Sequence, residues 1–171
     1  RGLDSEIIAK FRLGYAPPSP RGQASRLSTD LQRQGFEAKT LLEAGLLTAP
    51  NDGRTPYDFF RGRAMFPIAD ARARVIAFGG RVLGDGEPKY LNSRDTPLFD
   101  KRRTLYNLAP AREASRDASE VIVAEGYMDV IGLARGGFPA AVAPLGTALS
   151  EEHIEALWKL VEDPVLCFDG D

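Results

Sequence analysis

Two acidic clusters close apolar runs in this chain: Glu125-Gly126 after Val121–Ala124, and Asp169-Gly170-Asp171 after Val165–Phe168. Asp169 and Asp171 are two positions apart, so on extended backbone their carboxylates point the same way, and Gly170 lets the chain bend closely around an ion. Asp129 lies one helical turn beyond Glu125, where it could hold a second ion or orient the first through water. Carboxylates are the donors that hard divalent cations prefer, and such cations serve phosphoryl transfer by binding triphosphate oxygens and making a 3′-hydroxyl more acidic. Any one of these acids alone reads as a solvated loop residue. As a set on converging strand ends, they read as a site.

The elements that must position these acids are strand-like at Val121–Ala124, helical at Met128–Arg135, and strand-like again at Ala140–Ala143. Ser150 is a candidate N-cap for a helix reaching Val161, with Glu151 and Glu152 complementing the helix dipole, and Val165–Phe168 is a third strand. Alternation of this kind predicts a parallel α/β sheet with right-handed crossovers, in which functional groups lie beyond the carboxyl ends of the strands. Earlier in the chain, helices are expected over Ser5–Phe11, from an N-cap at Ser28 to Gln34, and over Ala38–Ala44, with a loop at Pro17, Pro18 and Pro20. Ala64–Ile68, Arg74–Phe78, Val82–Leu83 and Lys89–Leu91 then predict an antiparallel meander. The polar, aperiodic stretch Ala109–Ala118 suits a linker or an exposed helix. The expected fold class is therefore α+β followed by α/β, divided into subdomains 1–116 and 117–171.

Composition sets outer bounds. With 171 residues and 43% hydrophobic content the chain can bury a core, which argues against disorder. Lys+Arg 22 against Asp+Glu 24 gives a net charge of -2, so a nucleic-acid surface would have to come from local clustering. One cysteine excludes an internal disulfide framework, and no apolar run approaches the roughly 18 residues of a membrane span. An intracellular, soluble protein is expected. The chain opens on Arg1 and stops at Asp171 directly after a strand-like run, as an excised piece would. His153 and Cys167 lack the companions of a zinc site: Cys167 is expected in the core and His153 on a helix surface. Trp158, with Ile154 and Leu157, is expected to pack on the sheet, and Gly79-Gly80 to form a turn or a close-packing point.

The motifs EGYMDV (Glu125–Val130), PLGTA (Pro144–Ala148) and FDGD (Phe168–Asp171) together resemble the Toprim domain of bacterial primases of the DnaG type. FFRGRAMFPI (Phe59–Ile68), VIAFGGRVL (Val75–Leu83), PKYLNS (Pro88–Ser93) and LFDKRRTLYNL (Leu98–Leu108) resemble the subdomain that precedes Toprim in that family, and Arg1–Pro17 fits its beginning. This resemblance implies an RNA-primer-synthesising nucleotidyltransferase acting on single-stranded DNA with ribonucleoside triphosphates and Mg²⁺ or Mn²⁺. Glu125 would be the essential acid, Asp169 and Asp171 metal ligands, and Asp129 their support. A basic ridge for template and nucleotide phosphates would comprise Arg63, Arg81, Lys89 and Lys101, with Arg61 and Arg1 beside them and Tyr90 and Asn92 at base or sugar. Zn²⁺ would belong to an upstream module and the replicative helicase to a downstream region, neither within this chain, and the setting would be the bacterial cytoplasm without a membrane. Little or no primer synthesis is expected of the piece alone. Two other readings stay open at this stage: a Toprim nuclease or topoisomerase-like strand cutter, and a non-catalytic nucleic-acid or nucleotide-binding module.

Overall fold

The computed structural model describes residues 3–19 and 26–170. Its first helix, α1 (Ser5–Lys10), starts where Asp4 Oδ1 accepts the Ile7 N–H at 2.8 Å, and it buries Ile7. A short strand β1 (Gly14–Ala16) precedes helices α2 (Arg26–Arg33) and α3 (Ala38–Glu43). Ser28 lies inside α2 rather than at its N-cap, and its hydroxyl accepts from Gln32 Nε2. The small strands β2 (Leu47–Thr48) and β3 (Tyr57–Asp58) pair antiparallel.

The long strands β4 (Arg63–Ala69) and β5 (Val75–Val82) form the centre of an antiparallel sheet of order β1-β4-β5-β6, where β6 is Tyr90–Asn92. Asp70 fixes the reversal between β4 and β5. Its Oδ1 accepts from the Arg72 and Arg74 N–H groups, while Oδ2 pairs with the Arg74 guanidinium at 2.7 Å, which holds the carboxyl below its ordinary range. The two runs expected on either side of Gly79-Gly80 are one strand, because those glycines sit within β5 as a close-packing point: a Cβ on Gly79 would overlap the Tyr127 phenol, and one on Gly80 would press on Phe60 and Arg63.

A 3₁₀ turn at Lys101–Arg103 leads into α4 (Leu108–Ala118). This is the helical alternative for the polar stretch, and its small residues Ala111 and Ser115 are buried. The last third alternates β7 (Ile122–Val123), α5 (Tyr127–Arg135), β8 (Ala141–Val142), α6 (Glu151–Trp158) and β9 (Val165–Leu166). Among the described residues these strands form a three-stranded parallel sheet of order β8-β7-β9.

Strand alternation divides the core. Ile122 and Ala141 face a cluster shared with Ile7, Phe11, Phe66, Ile68, Ala77, Tyr127, Val130 and Ile131, so one apolar mass joins the antiparallel and parallel sheets. Val121, Val123 and Val142 face the other way, onto Leu105, Ala111 and Leu157. Each fully buried side chain of this kind contributes about 1.5–3 kcal/mol relative to exposure. The parallel sheet is thus covered on both faces at its centre.

Three further expectations are corrected. His153 is fully buried (0% exposed) because it shares the inner face of α6 with Leu157, four residues on. Trp158 is 63% exposed, since at about 100° per residue it turns away from the face that Leu157 presents. Cys167 is exposed among the described residues, where it follows β9 and its N–H donates to Val123 O.

Candidate nucleic-acid and nucleotide site

The end of β7 delivers Glu125 to the surface, directly after buried Ala124. Gly126 is extended there (φ -158°), and α5 begins at Tyr127. Asp129, in the first turn of α5, folds back over this junction, so that a Cβ on Gly126 would lie 3.7 Å from Asp129 Oδ2. On the neighbouring strand end, the Asp169 N–H donates to Glu125 Oε1 at 2.6 Å. Parallel register therefore brings Glu125 and Asp169 together at the carboxyl ends of β7 and β9, with Asp129 beside them. Asp171 lies outside the described residues. Among the described residues no group of three His, Cys, Asp or Glu is gathered closely enough to hold a metal ion. The residues at this junction, Glu125, Asp129 and Asp169, are all acids, the donor type suited to a hard divalent cation.

The expected ridge residues fall into two groups. Arg63 is 6% exposed, and its Nη1 donates to Gly80 O at 3.3 Å and reaches Lys89 O at 3.5 Å. Burial, with Arg61 nearby, lowers its pKa from the ordinary guanidinium value, while Glu87 opposes the shift. Asn92 is likewise engaged internally: its Nδ2 donates to Leu145 O at 2.7 Å and its Oδ1 accepts from the Tyr127 hydroxyl at 2.6 Å. Both residues, expected at ligand, are thus also held in place by hydrogen bonds to the fold.

The remaining cations are more open. The Arg61 guanidinium lies 4.7 Å from the Tyr57 ring centre and that of Arg81 lies 5.8 Å from Tyr90, arrangements that steer the charge along an aromatic face. Arg81 Nε is enclosed without a hydrogen-bond partner among the described residues. Arg81 and Tyr90 are register partners on β5 and β6, and exposed Lys89 precedes Tyr90. Lys101 is half-buried on the 3₁₀ turn, and Arg1 lies outside the described residues. Sequence reasoning missed Arg94, whose guanidinium sits 5.4 Å from the Phe59 ring. Its position directly after the PKYLNS run was the one available signal.

Tyr127 ties the acidic junction to the basic sheet. Its ring stacks on Phe66 (4.8 Å, 16°) and meets Tyr106 edge-on (4.7 Å, 81°), and its hydroxyl reaches Asn92. Burial, reinforced by Tyr106 and Tyr90, pushes its phenol pKa far up, so the group stays neutral.

The family described as DNA primase catalytic core, N-terminal domain, matches residues 1–112, and the Toprim domain matches residues 119–171. A DNA primase of Pseudomonas aeruginosa is 53% identical over the whole chain, which spans 25% of that protein's length. The crystal structure of a DNA primase domain from Pseudomonas aeruginosa superposes with a TM-score of 0.87 at 53% identity, covering 99% of this chain and 52% of that one. The structure of a DnaG primase catalytic domain bound to single-stranded DNA superposes with a TM-score of 0.85 at 43% identity, covering 99% and 51%. With a family match over most of its length and primase structures following its backbone almost throughout, the chain belongs to the DNA primase catalytic core family, its N-terminal domain continuing into a Toprim domain.

Proposed function

We propose that the protein containing this chain synthesises short RNA primers on single-stranded DNA by metal-dependent nucleotidyl transfer, and that this chain supplies the face on which the reaction occurs. The observation that carries the reading is the junction of Glu125 and Asp169 on adjacent parallel strand ends, tied through Tyr127 and Asn92 to a sheet bearing Arg81, Lys89 and Tyr90. Glu125, Asp169 and Asp171 would hold Mg²⁺ or Mn²⁺, with Asp129 supporting them. A divalent ion there would neutralise triphosphate charge and make the primer 3′-hydroxyl more acidic. Arg61, Arg81, Lys89, Lys101 and Arg1 would contact the phosphates of template and incoming nucleotide, and Tyr90 a base or sugar. Arg63 and Asn92 would serve the same surface by holding β5, β6 and the Leu145 loop in register.

A ribonucleoside triphosphate and a single-stranded template are the ligands this chemistry requires. A helicase would be engaged through regions outside the chain, and the setting would be the bacterial cytoplasm. A tyrosine-dependent strand cutter fits less well, because Tyr127, beside the acids, is buried with its phenol held neutral. We divide the working unit at residues 116 and 117, and expect the 171-residue chain alone to make little or no primer.

Fluorescence titration of the parent-length protein with a nucleoside triphosphate, with and without Mg²⁺, tests the metal assignment. Mg²⁺ should tighten binding to the native protein about tenfold or more and do little for Asp169→Asn. Equal Mg²⁺ dependence in both proteins would remove Asp169 from the site.

A further inference from the structure

We infer that His153 is a positioning residue, which fixes the Lys101–Arg103 turn so that Lys101 is presented to nucleotide phosphate. This rests on the proposed reading of Lys101 as a phosphate-binding cation. His153 is fully buried, and both ring nitrogens are used. Its Nδ1 accepts the Ser150 N–H at 3.2 Å, which assigns the ring proton to Nε2; that N–H faces Lys101 O at 2.9 Å and Thr104 O at 3.1 Å. The Ser150 hydroxyl, which caps α6 by accepting the His153 N–H, donates to Arg102 O. Three carbonyls of one short turn are therefore held by two side chains of the α6 N-terminus.

The N–H side of the turn is held as well. Asp95 Oδ1 accepts from Lys101 N–H at 3.2 Å, and Asp100 Oδ1 accepts from Arg102 N–H at 2.9 Å. The turn displays three successive cations, none of which makes an ion pair within 4 Å among the described residues. Adjacent like charges oppose a tight turn. A capping interaction alone would not require the imidazole: a shorter acceptor side chain could serve Ser150, whereas only the far nitrogen reaches Lys101 and Thr104.

The anchor points also lead to the acids. The loop before α6 carries Leu145, whose carbonyl is held by Asn92, and the strand after α6 leads to Asp169. The imidazole thus joins the cationic turn to the element between the Leu145 loop and the Asp169 strand.

The two amides separate the roles of the ring nitrogens. His153→Asn keeps an acceptor near Nδ1 for the cap but cannot reach the turn, while His153→Gln extends a donor toward the position of Nε2. In the parent-length protein, His153→Asn should raise the KM for ribonucleoside triphosphate about tenfold with kcat at saturation nearly unchanged, and His153→Gln should restore KM to within about twofold. Hydrogen exchange of the 101–104 amides should quicken in the Asn variant alone. Should the Asn variant fold poorly, Ser150→Ala, which releases Arg102 O, should raise KM by a smaller factor. An unchanged KM in His153→Asn, or equal impairment by Asn and Gln, would overturn the inference. Lys101→Ala, measured alongside, separates the two failures: if it raises KM while His153→Asn does not, positioning by His153 is wrong, and if it leaves KM unchanged the reading of Lys101 is wrong.

Discussion

Among the described residues Glu125 accepts a hydrogen bond from the backbone N–H of Asp169 and is otherwise exposed, as the proposed metal ligand has to be. Close to it in sequence, Tyr127 braces the fold through its hydroxyl, which donates to Asn92 Oδ1. Removing that hydroxyl in Tyr127→Phe leaves the Asn92 Oδ1 unpaired while keeping the ring stack, and should cost about 1–2 kcal/mol in urea unfolding. The neighbouring positions of Glu125 and Asp169 were legible because each follows an apolar strand, and strand ends of a parallel sheet lie side by side. Arg63 and Asn92 were not legible as braces, because their acceptors include Gly80 and Leu145, distant in sequence, and only the folded register brings those carbonyls within reach. Arg94 escaped notice for the same reason, its Phe59 partner lying on a separate segment.

At the scale of elements, β5 shows how an ambiguous pair of glycines resolves. Gly79 and Gly80 could have marked a turn, yet their pairing with Asn92 and Leu91 keeps the strand continuous, and the space a side chain would take is filled by Tyr127, Phe60 and Arg63. Gly79→Ala should therefore destabilise the fold by about 1–3 kcal/mol through overpacking, measurable as a lower urea midpoint with unchanged m-value. The alternation of strands and helices after residue 120 was readable from apolar runs and the Ser150 cap. The facing of α6 was not: its eight residues contain several apolar side chains, and only packing decides that His153 and Leu157 point inward while Trp158 points out.

At the scale of the molecule, an apolar cluster that includes Tyr106 and Tyr127 crosses from the antiparallel to the parallel sheet, and a second cluster covers the other face of the parallel sheet. Burial raises both phenol pKa values above the ordinary 10.0. A group whose folded pKa is raised contributes stability in full below its unfolded pKa, and that contribution is lost as pH rises above it. Stability should accordingly fall as pH climbs past about 10, and Tyr106→Phe or Tyr127→Phe should flatten that decline in urea titrations run across the alkaline range. A decline of the same slope in both variants would place its origin elsewhere. The proposed activity is tested most directly by incorporation of labelled ribonucleotide on single-stranded DNA, using the parent-length protein and its Glu125→Gln variant with Mg²⁺, Mn²⁺ or chelator. Short RNA products that require metal and fall by about a thousandfold or more in the variant are expected. Undiminished synthesis by Glu125→Gln, or cleavage of the template in place of synthesis, would contradict the assignment.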